Sequence, residues 1–241
     1  MDSAMLLGLQ SQRLLQRRMD IAANNLANVS TTGFKADQMV VEEFAPSEAF
    51  SNEGPRDIRF SRDLTVARDL RQGPITATGN PLDLAIEGPG YFTVQGPEGP
   101  LFTRDGAFTL DGAGQLVTGE GRPVLNQTGA PIVIDPRGEQ PSIDRQGVIR
   151  IAGVEAGRIG IVQFDRPGAL ERIGENLWDA GDQAFFPAEG EVMQAALESS
   201  NVIAIVEMTN LIQISRAYES AARIVRSADD LRQRTIDRLG R

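Results

Sequence analysis

The chain has 241 residues, enough for one ordinary domain with added elements or for two small ones. Apolar residues make up 41%, so a folded core is attainable, and 33 acidic against 24 basic residues leave a formal charge of −9, which argues against a phosphate backbone as partner. Cysteine and histidine are both absent, which removes disulfides, thiol nucleophiles, thiolate metal sites and the commonest general base, so no catalytic, cofactor or metal site is expected.

In chain order, the first element is a helix expected from Asp2 or Ser3 to Ala27. Leu7, Leu14 and Ile21 recur every seven residues, and Leu15, Met19, Ala22 and Leu26 follow at helical spacing beside them. The apolar run over residues 5–9 is short and is followed, not preceded, by Arg13, Arg17 and Arg18, so it does not read as a cleaved signal. Asn28 is expected to stop the helix in a left-handed conformation, ahead of a turn at Ser30-Thr31-Thr32-Gly33. Residues 34–78 hold few clean patterns and read as an extended connector.

The centre is set apart by its turn formers. All 13 prolines lie between Pro46 and Pro187, whereas both ends lack helix breakers. Short runs of β character recur at residues 83–86, 91–94, 115–118, 132–134, 148–151 and 159–162, with Asp105-Gly106 and Asp111-Gly112 as hairpin-turn pairs. Such closely spaced strands leave little room for crossover helices, so residues 79–198 read as a mostly antiparallel β domain.

The last element is a helix expected from Ser200 or Asn201, good capping residues, to about Leu239. Ile203, Asn210, Ala217, Ile224 and Leu231 keep a strict seven-residue spacing, with Ile214, Ala221 and Ala228 beside them. A second stripe, Ala204, Met208, Leu211, Tyr218, Ala222 and Val225, runs next to the first. The fold class expected is therefore α+β: terminal helices forming a coiled-coil-like module around a central, mostly antiparallel β domain. The boundaries are 1–33 for the first helix and turn, 34–78 for the connector, 79–198 for the β domain and 199–241 for the second helix. Residues 1–28 carry a net +1 and residues 199–241 a net +2, so the remaining chain carries −12.

Length makes these ends a surface for other chains. A helix of about 43 residues is about 64 Å long at about 1.5 Å per residue. A compact domain of about 120 residues has a radius of gyration of about 14 Å, too small to cover such a helix. Apolar surface would remain, and soluble monomers rarely expose it. The residues expected at subunit interfaces are Leu7, Leu14, Ile21, Asn24, Asn25, Asn28, Ile203, Asn210, Ile214, Ala217, Ala221, Ile224 and Leu231. The asparagines earn their place because an amide both donates and accepts, and so can set register between helices without burying charge.

Three motifs carry a resemblance. Ala23-Asn24-Asn25-Leu26-Ala27-Asn28 is followed by Thr32-Gly33-Phe34-Lys35. Leu82-Asp83-Leu84-Ala85-Ile86-Glu87-Gly88, Gly90-Tyr91-Phe92 and Phe102-Thr103-Arg104-Asp105-Gly106 stand in the centre. Leu197-Glu198-Ser199-Ser200-Asn201-Val202, Glu207-Met208-Thr209-Asn210-Leu211-Ile212 and Arg216-Ala217-Tyr218-Glu219 stand near the end. Together they resemble the flagellar axial proteins, the rod, hook and hook–filament junction family, and within it the proximal-rod members. Only about 45 residues separate Phe34 from Asn80, little space for the longer insertion typical of the distal-rod member. Ser215 and Ala221 stand where that member usually has Gln and Asn.

The resemblance implies a structural subunit that polymerises helically into a hollow drive shaft, with helices lining the bore and β domains outside. It implies a place in the basal-body rod within the periplasmic space, reached through the flagellar type III export apparatus without signal cleavage. The partners implied are other copies of the chain, the other proximal-rod proteins and the distal-rod protein. Neither nucleic acid nor a direct membrane span is expected, since no stretch approaches the roughly 18 apolar residues a span needs.

Other motifs read as bland. Glu42-Glu43 and Asp229-Asp230 diverge as neighbours on a strand or helix. Asp111-Gly112-Ala113-Gly114 lacks the alternating oxygen ligands of a calcium loop. Gly88-Pro89-Gly90 lacks the spacing of a nucleotide loop. Trp178 and Phe185-Phe186 are expected as core or interface anchors. The competing reading is a secreted carbohydrate-binding or carbohydrate-active β domain working with an Asp/Glu pair.

Overall fold

The computed structural model describes residues 2–42, 63–135, 138–174 and 176–239. The chain divides into a helical unit, Met1–Ala27, Asp37–Asp69 and Ile203–Arg241, and a β unit, Asn28–Ala36 and Leu70–Val202.

The helical unit contains α1, Asp2–Ala27, and α2, Ala204–Leu239. It also holds an antiparallel strand pair, Asp37–Glu42 with Asp63–Arg68, inside the stretch expected as a connector. α1 packs along α2 and against the strand Asp37–Glu42. The expected stripe supplies that contact: Ala22 is buried and Leu14, Leu15, Met19, Ile21 and Leu26 are half-buried. The helices come close at Gly8, where an added Cβ would lie 2.5 Å from Val225 Cγ2.

Two helix boundaries differ from expectation. α2 begins at Ala204, not at Ser200 or Asn201. The Asn201 side chain is already used, its Oδ1 accepting the Ala36 N–H at 2.8 Å, and Ser200 Oγ accepts the Val202 N–H at 3.2 Å. The first helical bond instead runs from the Glu207 N–H to the Ile203 carbonyl. Asn28 does not take a left-handed conformation; its Oδ1 accepts Thr31 Oγ1–H at 3.2 Å, and Gly33 carries the positive φ of 67°.

The β unit is antiparallel in every described strand pair. Its main sheet has six strands in the order Glu171–Gly174, Leu177–Asp179, Pro100–Thr103, Tyr91–Gln95, Ile161–Phe164, Phe185–Pro187. Val154–Arg158, Val148–Ile151 and Ser142–Ile143 form a second sheet. Three further pairs join Leu84–Glu87 to Glu191–Gln194, Ile75–Ala77 to Ala196–Glu198, and Phe108–Leu110 to Leu116–Thr118.

The core gathers Leu84, Ile86, Phe92, Val94, Leu116 and Ile149, all essentially inaccessible to solvent. A second aromatic cluster stacks Tyr91, Phe102, Phe164 and Trp178, with Phe102 and Phe164 edge-to-face at 4.8 Å. Trp178 is thus a core residue, while Phe185 and Phe186 remain about half exposed.

Of the two expected hairpin turns, one forms. The Asp111 carboxylate accepts the Ala113 and Gln115 N–H groups and closes the turn between Phe108–Leu110 and Leu116–Thr118. Asp105-Gly106 instead joins strands that do not pair with each other. Gly106 is required there because a Cβ would overlap the Leu84 carbonyl oxygen.

Candidate functional site

The sequence-predicted interface residues separate into covered and open positions. On α1, Leu14 and Ile21 are half-buried and Asn24 is exposed. Leu7 and Leu231 lie in α1 and α2, but their side chains fall outside the described residues, as do those of Ala228 and Asp229; Glu43 falls outside altogether.

On α2, Asn210, Ile214 and Ala221 are half-buried, whereas Ala217 and Ile224 are exposed, as is Ile203 just ahead of the helix. The second stripe is more evenly covered: Ala204, Leu211, Tyr218, Ala222 and Val225 are half-buried, and Met208 is exposed. The reason is geometric. A single facing helix covers one stripe, and positions one residue earlier lie about 100° round the helix. Ile203 is 63% exposed and Ile224 65%, and two residues outside the predicted stripes, Ile205 at 66% and Ile212 at 55%, are also open.

Asn25 is spent inside the chain. Its Nδ2 donates to the Asp37 carbonyl and its Oδ1 accepts the Asp37 N–H, both at 2.9 Å, so the amide imitates a strand neighbour and seats the strand Asp37–Glu42 on α1. Next to it is a polar groove of about 290 Å³, with Arg18, Ile21, Glu207, Asn210 and Gln213 on its walls.

Within the β unit the three motif regions meet. Thr32 Oγ1–H donates to Asp105 Oδ1 at 2.6 Å, and the Gly33 N–H donates to the Glu198 carbonyl at 2.8 Å. Phe34 is buried, with the Arg172 guanidinium 4.5 Å from its ring centroid. Lys35, the chain's sole lysine, is itself buried, and its Nζ lies 2.5 Å from Glu198 Oε1. Arg104 Nη1 reaches the other oxygen of Glu198 at 3.1 Å. The sequence marked these residues as motifs but not as an ion cluster; the signal was the solitary Lys35 standing beside buried Phe34. Elsewhere the Asp144 carboxyl is held below the usual carboxylate range, chiefly by the Val148 N–H against a smaller cost of burial, with help from Arg150.

A pocket of about 480 Å³ in the β unit has Thr93, Asn126, Thr128, Phe185 and Phe186 among its lining residues, and no Asp or Glu lines it. It therefore presents no carboxylate pair for glycoside chemistry. No described helix is long and apolar enough to cross a membrane.

Family models match along the chain in the order of the motifs: flagella basal body rod protein at residues 8–35, flagellar hook protein FlgE/F/G D1 domain at residues 85–151, and flagellar basal body rod FlgEFG protein C-terminal at residues 193–238. The flagellar basal-body rod protein FlgF of Caulobacter vibrioides is 40% identical, over 100% of this chain and 99% of its own. This chain belongs to the flagellar basal-body rod protein family. The FlgF of Mesorhizobium japonicum is 33% identical, again over 100% of this chain and 99% of its own. The FlgG of Bacillus subtilis is 30% identical over 95% of this chain and 96% of its own. The chain is thus a structural rod protein of the FlgF type and not an enzyme. The carbohydrate reading finds no support in these matches.

Proposed function

We propose that this rod protein polymerises through its terminal helices into the hollow shaft of the proximal rod, where it transmits torque and encloses the export channel. The observation that carries the reading is the open line of Ile203, just ahead of α2, with Ala217 and Ile224 on it, while Val225 of the neighbouring stripe meets α1 at Gly8. α1 and α2 form a coiled-coil-like pair within one subunit, and the open line takes helices of the next. Contacts of this head-to-tail kind do not close on themselves and so build a helical tube.

The interface comprises Leu7, Leu14, Ile21, Asn24, Asn28, Ile203, Asn210, Ile214, Ala217, Ala221, Ile224 and Leu231, with Asn25 holding the helix–strand seat beside it. Its partners are further copies, the other proximal-rod proteins, the distal-rod protein and the type III export apparatus. It lies in the periplasmic space and travels there without signal cleavage. The domain boundaries 1–33, 34–78, 79–198 and 199–241 describe the parts that act in assembly.

Cysteine scanning tests this, and the chain has no cysteine of its own to confuse it. Cysteines at Ala217 or Ile224, paired with one at Leu14, should give cross-linked multimers in assembled rods and, in dilute monomer, links within one subunit only. Rods that form normally with no such product from any pair would refute assembly through this line.

A further inference from the structure

Assembly through α2 gives no task to the buried carboxylate of Glu198. The chain passes between its two units after residues 27, 36, 69 and 202. The β-unit segments beside those crossings end on one spot. Glu198, 1% exposed, receives Lys35 Nζ at 2.5 Å and the Gly73 N–H at 3.0 Å on Oε1, and Arg104 Nη1 at 3.1 Å on Oε2. Its own carbonyl accepts the Gly33 N–H at 2.8 Å. Asn201 adds a second tie: Oδ1 accepts the Ala36 N–H at 2.8 Å, and Nδ2 donates at 3.1 Å to the Arg71 carbonyl, which Lys35 Nζ also reaches at 2.8 Å. Arg104 roots the cluster in the β structure through the Ile86 and Gly88 carbonyls, at 3.3 Å and 2.7 Å.

Packing alone does not call for this. A buried ion cluster is often no more stabilising than apolar side chains of the same volume, because desolvation opposes the attraction. What an apolar cluster cannot do is hold several separate strands of backbone by directed bonds at fixed places. Glu198 does so for segments far apart in sequence, and a tight approach reinforces it: a Cβ at Gly73 would overlap the Ser199 carbonyl oxygen.

We infer that Glu198 is the clasp of the β unit. It is a positioning residue that holds segments 28–36, 70–74 and 199–202 together, so that a pull arriving along the chain from the helices is received by the folded β structure and does not peel these segments away one by one. The source of the pull rests on the rod reading; the clasp does not.

Amide hydrogen exchange on the full-length chain tests it. Glu198→Gln keeps the side-chain shape and removes the charge. The amides of Gly33, Ala36, Gly73 and Ser199 should exchange about tenfold faster or more, while those of Thr93, Leu116, Val124 and Ile132 change less than about twofold. Lys35→Met should reproduce the same pattern more weakly. Unchanged protection at the four segment amides, in either variant, overturns the clasp. So does uniform acceleration across the β unit, or failure of both variants to fold, since Glu198 would then serve the whole core. Rod formation by the wild-type chain is scored separately. Its failure would count against assembly and leave the exchange pattern standing.

Discussion

The β unit and the helical unit solve the same burial problem in opposite ways. In the β unit the strands are short and closely linked, and the large apolar side chains of the core reach nearly complete burial within one chain, as Leu84, Phe92, Val94 and Val124 do, while Val154, Ile173, Phe185 and Phe186 at its surface stay open. Even its charges turn inward and find partners, as Lys35, Arg104 and Glu198 show. In the helical unit two helices and a strand pair cannot surround one another. A helix presents apolar residues around more than one stripe, and a single partner covers one of them. The lesson is that the β unit closes a core within its own fold, whereas the helical unit folds with an apolar line left exposed on its long helix.

The largest effect should come from the β core. Phe92→Ala removes a fully buried ring that packs edge-to-face with Phe108 at 5.2 Å. It should cost about 3–5 kcal/mol, read as a lowered unfolding midpoint, with rods lost because the subunit no longer folds. A midpoint near wild type would mean that the β unit does not depend on this core.

A smaller loss is expected where the helices meet. Gly8→Val puts side-chain atoms where Val225 Cγ2 already lies. Overpacking of this kind costs about 1–3 kcal/mol. It should loosen α1 along α2, seen as faster proteolysis of the helices, and leave the β-unit melting transition unchanged. Equal protease resistance in the variant would show that the helices do not need their close approach.

The sharpest contrast comes from Ile224→Asp and Ala217→Arg. Both positions are exposed in the single chain, so monomer stability should move by no more than about 0.5 kcal/mol. Rod assembly should nevertheless fail, because in the assembly each charge would be buried without a partner. Electron microscopy of purified basal bodies, set beside the monomer's melting curve, measures both. Normal rods from either variant would erase the distinction drawn between the two units.

The smallest effect concerns acid. The Asp144 carboxyl is held below its ordinary pKa by the Val148 N–H, with Arg150 Nη1 also 2.8 Å from Oδ2. A carboxylate depressed in the folded state contributes stability that is present above its unfolded pKa and is lost as pH falls through the folded one. Asp144→Asn should therefore lower stability slightly at neutral pH, where the carboxylate's contribution is present, and flatten the acid limb of the stability curve, where wild type loses that contribution. An acid limb identical to wild type would remove Asp144 from the account.

Much of this was legible in the chain itself. Turn formers confined to the centre marked out the β region, and unbroken apolar periodicity at the ends marked both helices, because these patterns reflect constraints that act between near neighbours. The apolar stripes of the two helices were visible for the same reason. Which stripe faces α1 and which stays open was not, since periodicity places residues on a face without saying what the face meets.

What only the tertiary structure decided depends on distant partners. Asn201 has the chemistry of a helix cap, yet it binds Ala36, 165 residues away, and the helix starts later. Asn25 has the chemistry of an interhelical amide, yet it is used on the Asp37 backbone. Lys35 and Glu198 lie 163 residues apart, each within a motif that gives no sign of the other. Their burial became favourable only when the fold brought carboxylate, ammonium, guanidinium and backbone groups to one place, and no local pattern records that meeting.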